Sequence, residues 1–261
     1  EINFAMTLGL GKPAIFINQL YRRAKEDPSI KLNIFTALSL EMPRGNSELE
    51  QRLVGPLVER IFGGSPVFEY MVDIRDGRLP ENVQLFEFYS KAGSIMSRPM
   101  SQRNHLPSHY THVARDAFFS NGVNVFGQLI TSKEVNGKKI YSMGCNTDIC
   151  VGALELLQYG KKRGKKMVII GEVNENLPFM YGDAVYQAEE YDVLLEGPRY
   201  NYRLFAPPKD AVALKDHMIG LNVSTLIKDG GTLQVGIGAL GDAIVAGLDM
   251  RHSHNDKYNE I

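Results

Sequence analysis

Segments with the periodicity of strands alternate with segments with the periodicity of helices along most of this chain. Short apolar runs at residues 32–38, 123–130 and 167–170 predict buried strands, and amphipathic stretches between them predict helices. Such an alternation brings successive strands into a mostly parallel sheet whose two faces are covered by helices. We therefore predict an α/β fold.

The composition of the chain argues against nucleic acid and membranes as binding partners. The chain has 261 residues, a net charge of −1 and a pI of about 6.7, so it lacks a general attraction to nucleic acid or anionic membranes. No apolar run approaches the roughly 20 residues that span a bilayer. Residues 1–18 lack the pattern of a secretory signal peptide. We expect a cytoplasmic protein that binds neither nucleic acid nor membrane.

The segment TLQVGIGALGD at residues 232–242 carries the strongest chemical signal. It predicts a strand, a glycine-rich turn and a helix over residues 242–248. Backbone N–H groups at the start of a helix can hold a phosphate or a developing oxyanion. Gly236, Gly238 and Gly241 lack the Cβ atoms that would block the approach of a ligand.

The same three glycines have the G-x-G-x-x-G spacing of a dinucleotide site, which makes a nucleotide-binding oxidoreductase an alternative. That site also needs a second strand after the helix, with an acidic residue about 20 positions further on. Residues 249–261 are polar and contain no β-branched run, so the context disfavours this alternative. A tight turn without any ligand remains a further interpretation of the spacing.

A second polar segment, VNENLP at residues 173–178, follows directly from a predicted strand. Ligands of open α/β sheets gather beyond the carboxyl ends of the strands. Asn174 and Asn176 can donate and accept hydrogen bonds there without adding charge, and Gly182-Asp183 closes the loop. An ordinary turn is the competing interpretation.

Other candidate sites are weaker. The loop Gly9–Pro13 ends in Gly-Lys but lacks the first glycine of a phosphate-binding loop, and Pro13 replaces its Ser or Thr. His105, His109 and His112 cluster without a carboxylate in a metalloprotease pattern, and the two cysteines lack a second ligand pair. We predict no metal site.

Four segments in order resemble the acetyl-CoA hydrolase/transferase family, a class I coenzyme A transferase group that includes 4-hydroxybutyrate and succinyl-CoA:acetate transferases. They are GLGKP leading to LYR (residues 9–22), G…YSMGCNTD (137–148), VNENLP…GD (173–183) and DGGTLQVGIGAL (229–240). The last two are similar to the family's V-N-x-N-M-P…G-D and D-G-A-T-L-Q-x-G-I-G-A-I. The chain departs from the family at residues 131–134, where TSKE replaces Ser-Pro-Pro-Asp, and at Gly241, which replaces a frequent proline.

The resemblance implies the NagB/RpiA-like architecture of coenzyme A transferases. It also implies transfer of coenzyme A, as co-substrate, between an acyl-CoA and a small carboxylic acid through a glutamyl thioester. The family's glutamate nucleophile lies tens of residues beyond the glycine turn. We therefore expect no catalytic residue in this chain, a nucleophile beyond Ile261, and an N-terminal fragment that is inactive alone. Acyl-CoA hydrolysis is an alternative activity, and a non-catalytic CoA-binding module is another.

Residue by residue, the resemblance places Gly236, Ile237, Gly238, Ala239 and Leu240 at the coenzyme A site, with Asn174, Asn176 and Gly182 bordering the same cleft. With Pro207-Pro208 as a boundary signal, we predict an N-terminal α/β domain at residues 1–206. Residues 207–261 would then begin a second α/β domain with one strand and one helix. Family likeness also implies a homodimer of the full-length protein.

Overall fold

A computed structural model describes residues 1–95, 98–205 and 210–260. These residues form two compact units, Glu1–Phe205 and Ala206–Ile261. The predicted boundary at Pro207-Pro208 lies outside the described residues. Within the described part of the chain, no helix is both long enough and apolar enough to cross a membrane.

The first unit is built on a sheet of eight strands. The strands are β1 (Ile2–Leu8), β2 (Leu32–Ala37), β3 (Val83–Glu87), β4 (Val125–Val135), β5 (Lys138–Ser142), β6 (Val168–Val173), β7 (Val185–Tyr186) and β8 (Val193–Leu195). Six of them run parallel in the order β3-β2-β1-β4-β6-β8. The C-terminal half of β4 also pairs antiparallel with β5, which in turn pairs antiparallel with β7. The predicted α/β class with a mostly parallel sheet is confirmed.

Helices cover both faces of this sheet. They are α1 (Ala14–Glu26), α2 (Glu48–Phe62), α3 (Glu69–Asp76), α4 (Pro99–Arg103), α5 (Val113–Phe119) and α6 (Thr147–Lys162). Along β1, Phe4 and Met6 pack into the cluster formed with α1 and α3, whereas Ala5 packs into the cluster formed with α5 and α6. Because side chains alternate between faces, a strand that is covered twice must be apolar at nearly every position.

Two local features of the first unit follow from short-range rules of helix capping and turn formation. Ser47 is the N-cap residue immediately before α2, and its Oγ accepts a hydrogen bond from the Glu50 N–H at 3.2 Å. Asn136 and Gly137 join β4 to β5 with φ angles of 52° and 74°. Two successive positive φ angles are the signature of the type I′ turn that the Asn-Gly pair predicts.

The strand order creates one topological switch point. From β1 the chain moves outward to β2 and β3, whereas beyond β4 it moves the opposite way to β6 and β8. The carboxyl ends of β1 and β4 therefore border the crevice where ligands of open α/β sheets bind. The loop after β1 and the N-terminus of α6 lie at this edge.

In the described part of the second unit, residues 210–260, the helices are α7 (Leu214–Leu226), α8 (Ala239–Ser253) and α9 (Asn255–Tyr258). The first two pack closely through glycine, since a Cβ on Gly247 would lie only 2.9 Å from the carbonyl oxygen of Gly220. The predicted strand before the glycine turn is wrong: residues 231–236 form no strand, and the described part of this unit offers them no partner strand. The helix is also longer than residues 242–248 at both ends.

Candidate functional site

The glycine turn projects its residues into solvent. Gly236 and Gly238 are exposed, and Ile237 is as exposed as in an extended peptide, at 104%. Gly238 precedes α8 with φ 131° and ψ 172°, a conformation that is essentially restricted to glycine. The first N–H groups of a helix lack partners within the helix, so this turn presents donors at the positive end of a 15-residue helix.

Close packing within the turn fixes its shape. A Cβ on Gly241 would overlap the carbonyl oxygen of Gly236, so the chain folds back on itself only because residue 241 has no side chain. The Asp242 N–H donates to the Gly238 carbonyl at 3.0 Å and begins the helical ladder. Around Gly236 and Gly238 there is open space instead, with no atom within 4 Å of an added Cβ.

The dinucleotide alternative is not supported by the segment that follows. It requires a strand soon after Asp249, but α8 continues to Ser253 and α9 follows at Asn255–Tyr258. The glycine spacing is therefore present without the βαβ frame that gives it meaning in nucleotide-binding proteins.

Asn174 occupies the interior of the first unit, with no exposed surface. Its Nδ2 donates to the carbonyl oxygens of Tyr200 at 2.7 Å and Tyr202 at 2.9 Å, and its Oδ1 accepts from the Asn176 N–H at 2.9 Å. Both amide hydrogens are thus used within the protein. Asn174 ties the loop after β6 to the segment that contains Tyr200 and Tyr202.

Asn176 repeats this connection at the surface. Its exposed Nδ2 donates to the carbonyl oxygens of Asn201 and Tyr202 at 3.2 and 3.1 Å. Gly182 lies nearby in sequence in a single turn with φ 69°, where an added Cβ would meet open space. The three residues predicted to border a substrate cleft therefore have different roles. Asn174 and Asn176 hold the loop after β6 in place, whereas Gly182 has open space beside it. Their contact with substrate stays a prediction.

Glu172, which belongs to none of the candidate sites predicted from the sequence, links the end of β6 to α1. It has no exposed surface, and it accepts hydrogen bonds from the Phe16 N–H at 2.7 Å, the Ile15 N–H at 3.3 Å and the Tyr202 hydroxyl at 2.9 Å. Burial raises the pKa of this carboxyl, and the three donors partly offset the rise. The signal available in the sequence was a carboxylate inside an apolar strand.

The contact between Glu172 and the start of α1 bears on whether the loop Gly9–Pro13 can bind a phosphate. The N-terminus of α1, where a phosphate would bind in a phosphate-binding loop, is filled by the protein's own Glu172 carboxylate. Lys12 is buried and donates to backbone carbonyls of β1 and the turn after β2 instead of facing solvent. The structure thus agrees with the rejection of a phosphate-binding loop at this position.

The histidine cluster does not form a metal site. The rings of His109 and His112 lie 5.9 Å apart between centroids, on a short turn before α5. Among the described residues, no group of three or more His, Cys, Asp or Glu side chains could hold a metal ion.

Comparison with known proteins places the chain beside coenzyme A transferases. A 78-residue segment is 38% identical to 4-hydroxybutyrate coenzyme A transferase of Clostridium kluyveri, covering 30% of this chain and 18% of that protein. An 80-residue segment is 32% identical to a succinyl-CoA:acetate/propanoyl-CoA:succinate CoA transferase of Fasciola hepatica, covering 31% of this chain and 16% of that protein. These relatives confirm the resemblance read from the motifs. No family model matches the chain.

Solved structures share the fold over a longer stretch. The crystal structure of RipA from Yersinia pestis aligns with 94% of this chain and 49% of its own, with a TM-score of 0.61 and 17% identity. A point mutant of RipA aligns with 94% of this chain and 48% of its own at the same TM-score and identity. At this level of identity the likeness shows the fold alone. The chain spans about half the length of RipA and matches less than one fifth of each curated relative.

Proposed function

We propose that this chain is the N-terminal portion of a coenzyme A transferase, in which the glycine turn of the second unit binds coenzyme A. The observation that carries the proposal is the exposed turn Gly236–Leu240, which presents free N–H donors at the start of α8. The similarity to two coenzyme A transferases supplies the chemistry of the ligand. An anionic phosphate or a thioester oxyanion is what such donors stabilise.

The proposal includes the division of labour between the units. Residues 1–206 form the N-terminal α/β domain, and residues 207–261 begin a second domain that continues beyond Ile261. The two compact units support this division. Asn176 and Gly182 border the substrate, whereas Asn174 supports them from the interior. The nucleophilic glutamate lies in the continuation, so this portion binds coenzyme A without catalysing transfer.

The exposed residues 231–236 support a continuing second domain. They form no regular secondary structure, and Leu233 and Val235 are 44% and 40% exposed. Exposed apolar side chains beside unpaired backbone groups favour pairing with a further strand. Acyl-CoA hydrolysis differs from transfer only in whether water or an acid resolves the thioester, and it remains the alternative activity. In the full-length protein we expect a cytoplasmic homodimer.

Coenzyme A binding by calorimetry tests the turn. Gly236→Asp places a carboxylate beside the turn without steric conflict, and we expect at least roughly tenfold weaker binding because the carboxylate repels the phosphates and competes for the N–H donors. Gly238→Asp adds backbone strain to the same charge. Gly230→Asp is the control matched to Gly238→Asp, because it also has a positive φ, of 75°, and open space around it, but it lies outside the turn.

The variants separate charge from folding. If Gly236→Asp binds coenzyme A as well as the unaltered protein, and Gly238→Asp binds it as well as Gly230→Asp, the turn is not the binding site. If the unaltered protein shows no binding at millimolar coenzyme A, the proposed function is wrong for this portion of the protein.

A further inference from the structure

Lys12 is among the largest fully buried side chains of the first unit, at 2% exposure. It lies in the loop after β1, and its Nζ donates to the carbonyl oxygens of Thr7 at 3.1 Å, Ala37 at short range and Leu38 at 3.4 Å. Three backbone carbonyl oxygens thus surround this amino group, which has three N–H donors when it is protonated and two when it is neutral. One acceptor belongs to β1 and two to the end of β2, so Lys12 joins the exits of neighbouring strands.

The exit of β2 needs such support. Leu38 has a φ of 49°, in the left-handed region that is unfavourable for a residue with a side chain. Its N–H donates to the carbonyl of Tyr89 at 2.8 Å, and the next N–H, of Ser39, donates to the Glu87 carboxylate at 2.9 Å. The strained turn after β2 is therefore held by two charged side chains. Lys12 donates to the carbonyls of Ala37 and Leu38, and Glu87 accepts from the N–H of Ser39.

The loop after β1 is also held from its other side. A Cβ on Gly11 would overlap both Thr7 Oγ1 and Asn146 Oδ1, so the loop packs directly on β1 and on the residue that precedes α6. These contacts lie at the carboxyl ends of β1 and β2, beside the topological switch point. We call Lys12, Glu87, Leu38 and Ser39 the strand-exit clamp.

We propose that Lys12 is a positioning residue whose buried amino group fixes the loop after β1 and the turn after β2 as one rigid edge. The inference rests on the proposed function in one respect, because this edge is where a substrate would meet the first unit. Lys12 touches no substrate itself. It acts through the backbone of Ala37 and Leu38.

Protonation of Lys12 gives the clamp a measurable signature. Burial lowers the pKa of Lys12 from 10.5 to about 7, and the nearby charge of Glu87 limits the drop. Two titratable residues lie next to the clamp. The Tyr70 hydroxyl contacts Ser39 Oγ at 2.9 Å, and the backbone of His105 pairs with that of Glu87 while its ring Nδ1 lies 3.5 Å from Ser90 Oγ. Burial raises the pKa of Tyr70, so its hydroxyl stays neutral at moderate pH.

The direction in which pH shifts the clamp follows from the pKa difference between its open and closed forms. When the clamp opens, Lys12 meets water and recovers its ordinary pKa of 10.5, so the open form binds more protons than the closed form between pH 7 and 10.5. Raising the pH through this window therefore favours the closed clamp. With one linked proton, the ratio of closed to open forms rises by about tenfold per pH unit.

Amide hydrogen exchange of the whole chain measures this ratio at the Leu38 and Ser39 amides. We expect their protection factors, corrected for the intrinsic exchange rate, to rise by about tenfold from roughly pH 7.5 to 8.5. Lys12→Met removes the rise because it removes the titrating group. Lys31→Met is the matched control, since Lys31 is an exposed lysine, and it keeps the rise. His105→Gln keeps it too, which separates the imidazole from Lys12.

A protection factor at Leu38 and Ser39 that does not rise in the unaltered protein overturns the inference, even if Lys12→Met fails to fold. A rise that persists in Lys12→Met, or that disappears in His105→Gln, overturns it as well. Coenzyme A binding by the same protein is measured separately. Its absence would count against the proposed function and leave the exchange result to decide the role of Lys12.

Discussion

Asn174 and Asn176 belong to the same motif and bond to the same carbonyl oxygen of Tyr202, yet one is buried and the other exposed. Replacing each with alanine therefore isolates the effect of burial. Asn174→Ala removes three hydrogen bonds, with lengths of 2.7, 2.9 and 2.9 Å. At about 1 kcal/mol for each bond to this buried side chain, we expect a loss of about 3 kcal/mol in the free energy of unfolding.

Asn176→Ala removes two bonds of 3.2 and 3.1 Å, but water can replace them at the surface. We expect its cost to be below about 0.5 kcal/mol. For a domain of this size, each kcal/mol corresponds to roughly 2–4 °C in Tm, so Asn174→Ala should unfold roughly 6–12 °C lower. Thermal and urea unfolding followed by far-ultraviolet circular dichroism measure both variants.

The two variants also separate a structural role from a binding role. If Asn174→Ala is as stable as Asn176→Ala, the interior hydrogen bonds do not hold the loop, and the argument from burial is wrong. A variant that keeps its stability and loses ligand binding would instead make Asn174 a direct substrate contact.

Two further substitutions test the packing and the charge of β6, the strand that precedes Asn174. Gly171→Ala places a Cβ 2.5 Å from Ile130 Cδ1 and 3.0 Å from Leu194 Cδ2. Such overpacking should lower the free energy of unfolding in urea by about 1–3 kcal/mol, and an unchanged midpoint would show that the core adjusts without cost. Glu172→Gln should change the pH dependence of stability. Because burial raises the pKa of Glu172, the unfolded chain releases this proton at lower pH than the folded chain, so stability falls as pH rises from 4.5 toward the raised value. The glutamine variant should lack this slope in unfolding curves collected between about pH 4 and 7, and an identical slope would assign it to other groups.

The sequence alone determined the α/β class, because a strand covered by helices on both faces must be apolar along its whole length, and that pattern is visible without coordinates. Local rules also sufficed for the Ser47 cap and the Asn136-Gly137 turn, whose determinants lie within a few residues of one another. Tertiary structure decided what depends on distant partners. Whether residues 231–236 become a strand depends on a neighbouring strand, and the described part of the second unit contains none.

The same reason explains the roles of polar side chains. Composition marks Lys12, Glu172 and Asn174 as hydrophilic, but it does not reveal that each is buried and bonded to segments 25 or more residues away. A hydrogen-bond partner is specified by three-dimensional proximity, which sequence spacing does not contain. The motif around Asn174 is therefore recognisable from the sequence. The role of Asn174 in joining two distant segments by hydrogen bonds is visible only in the tertiary structure.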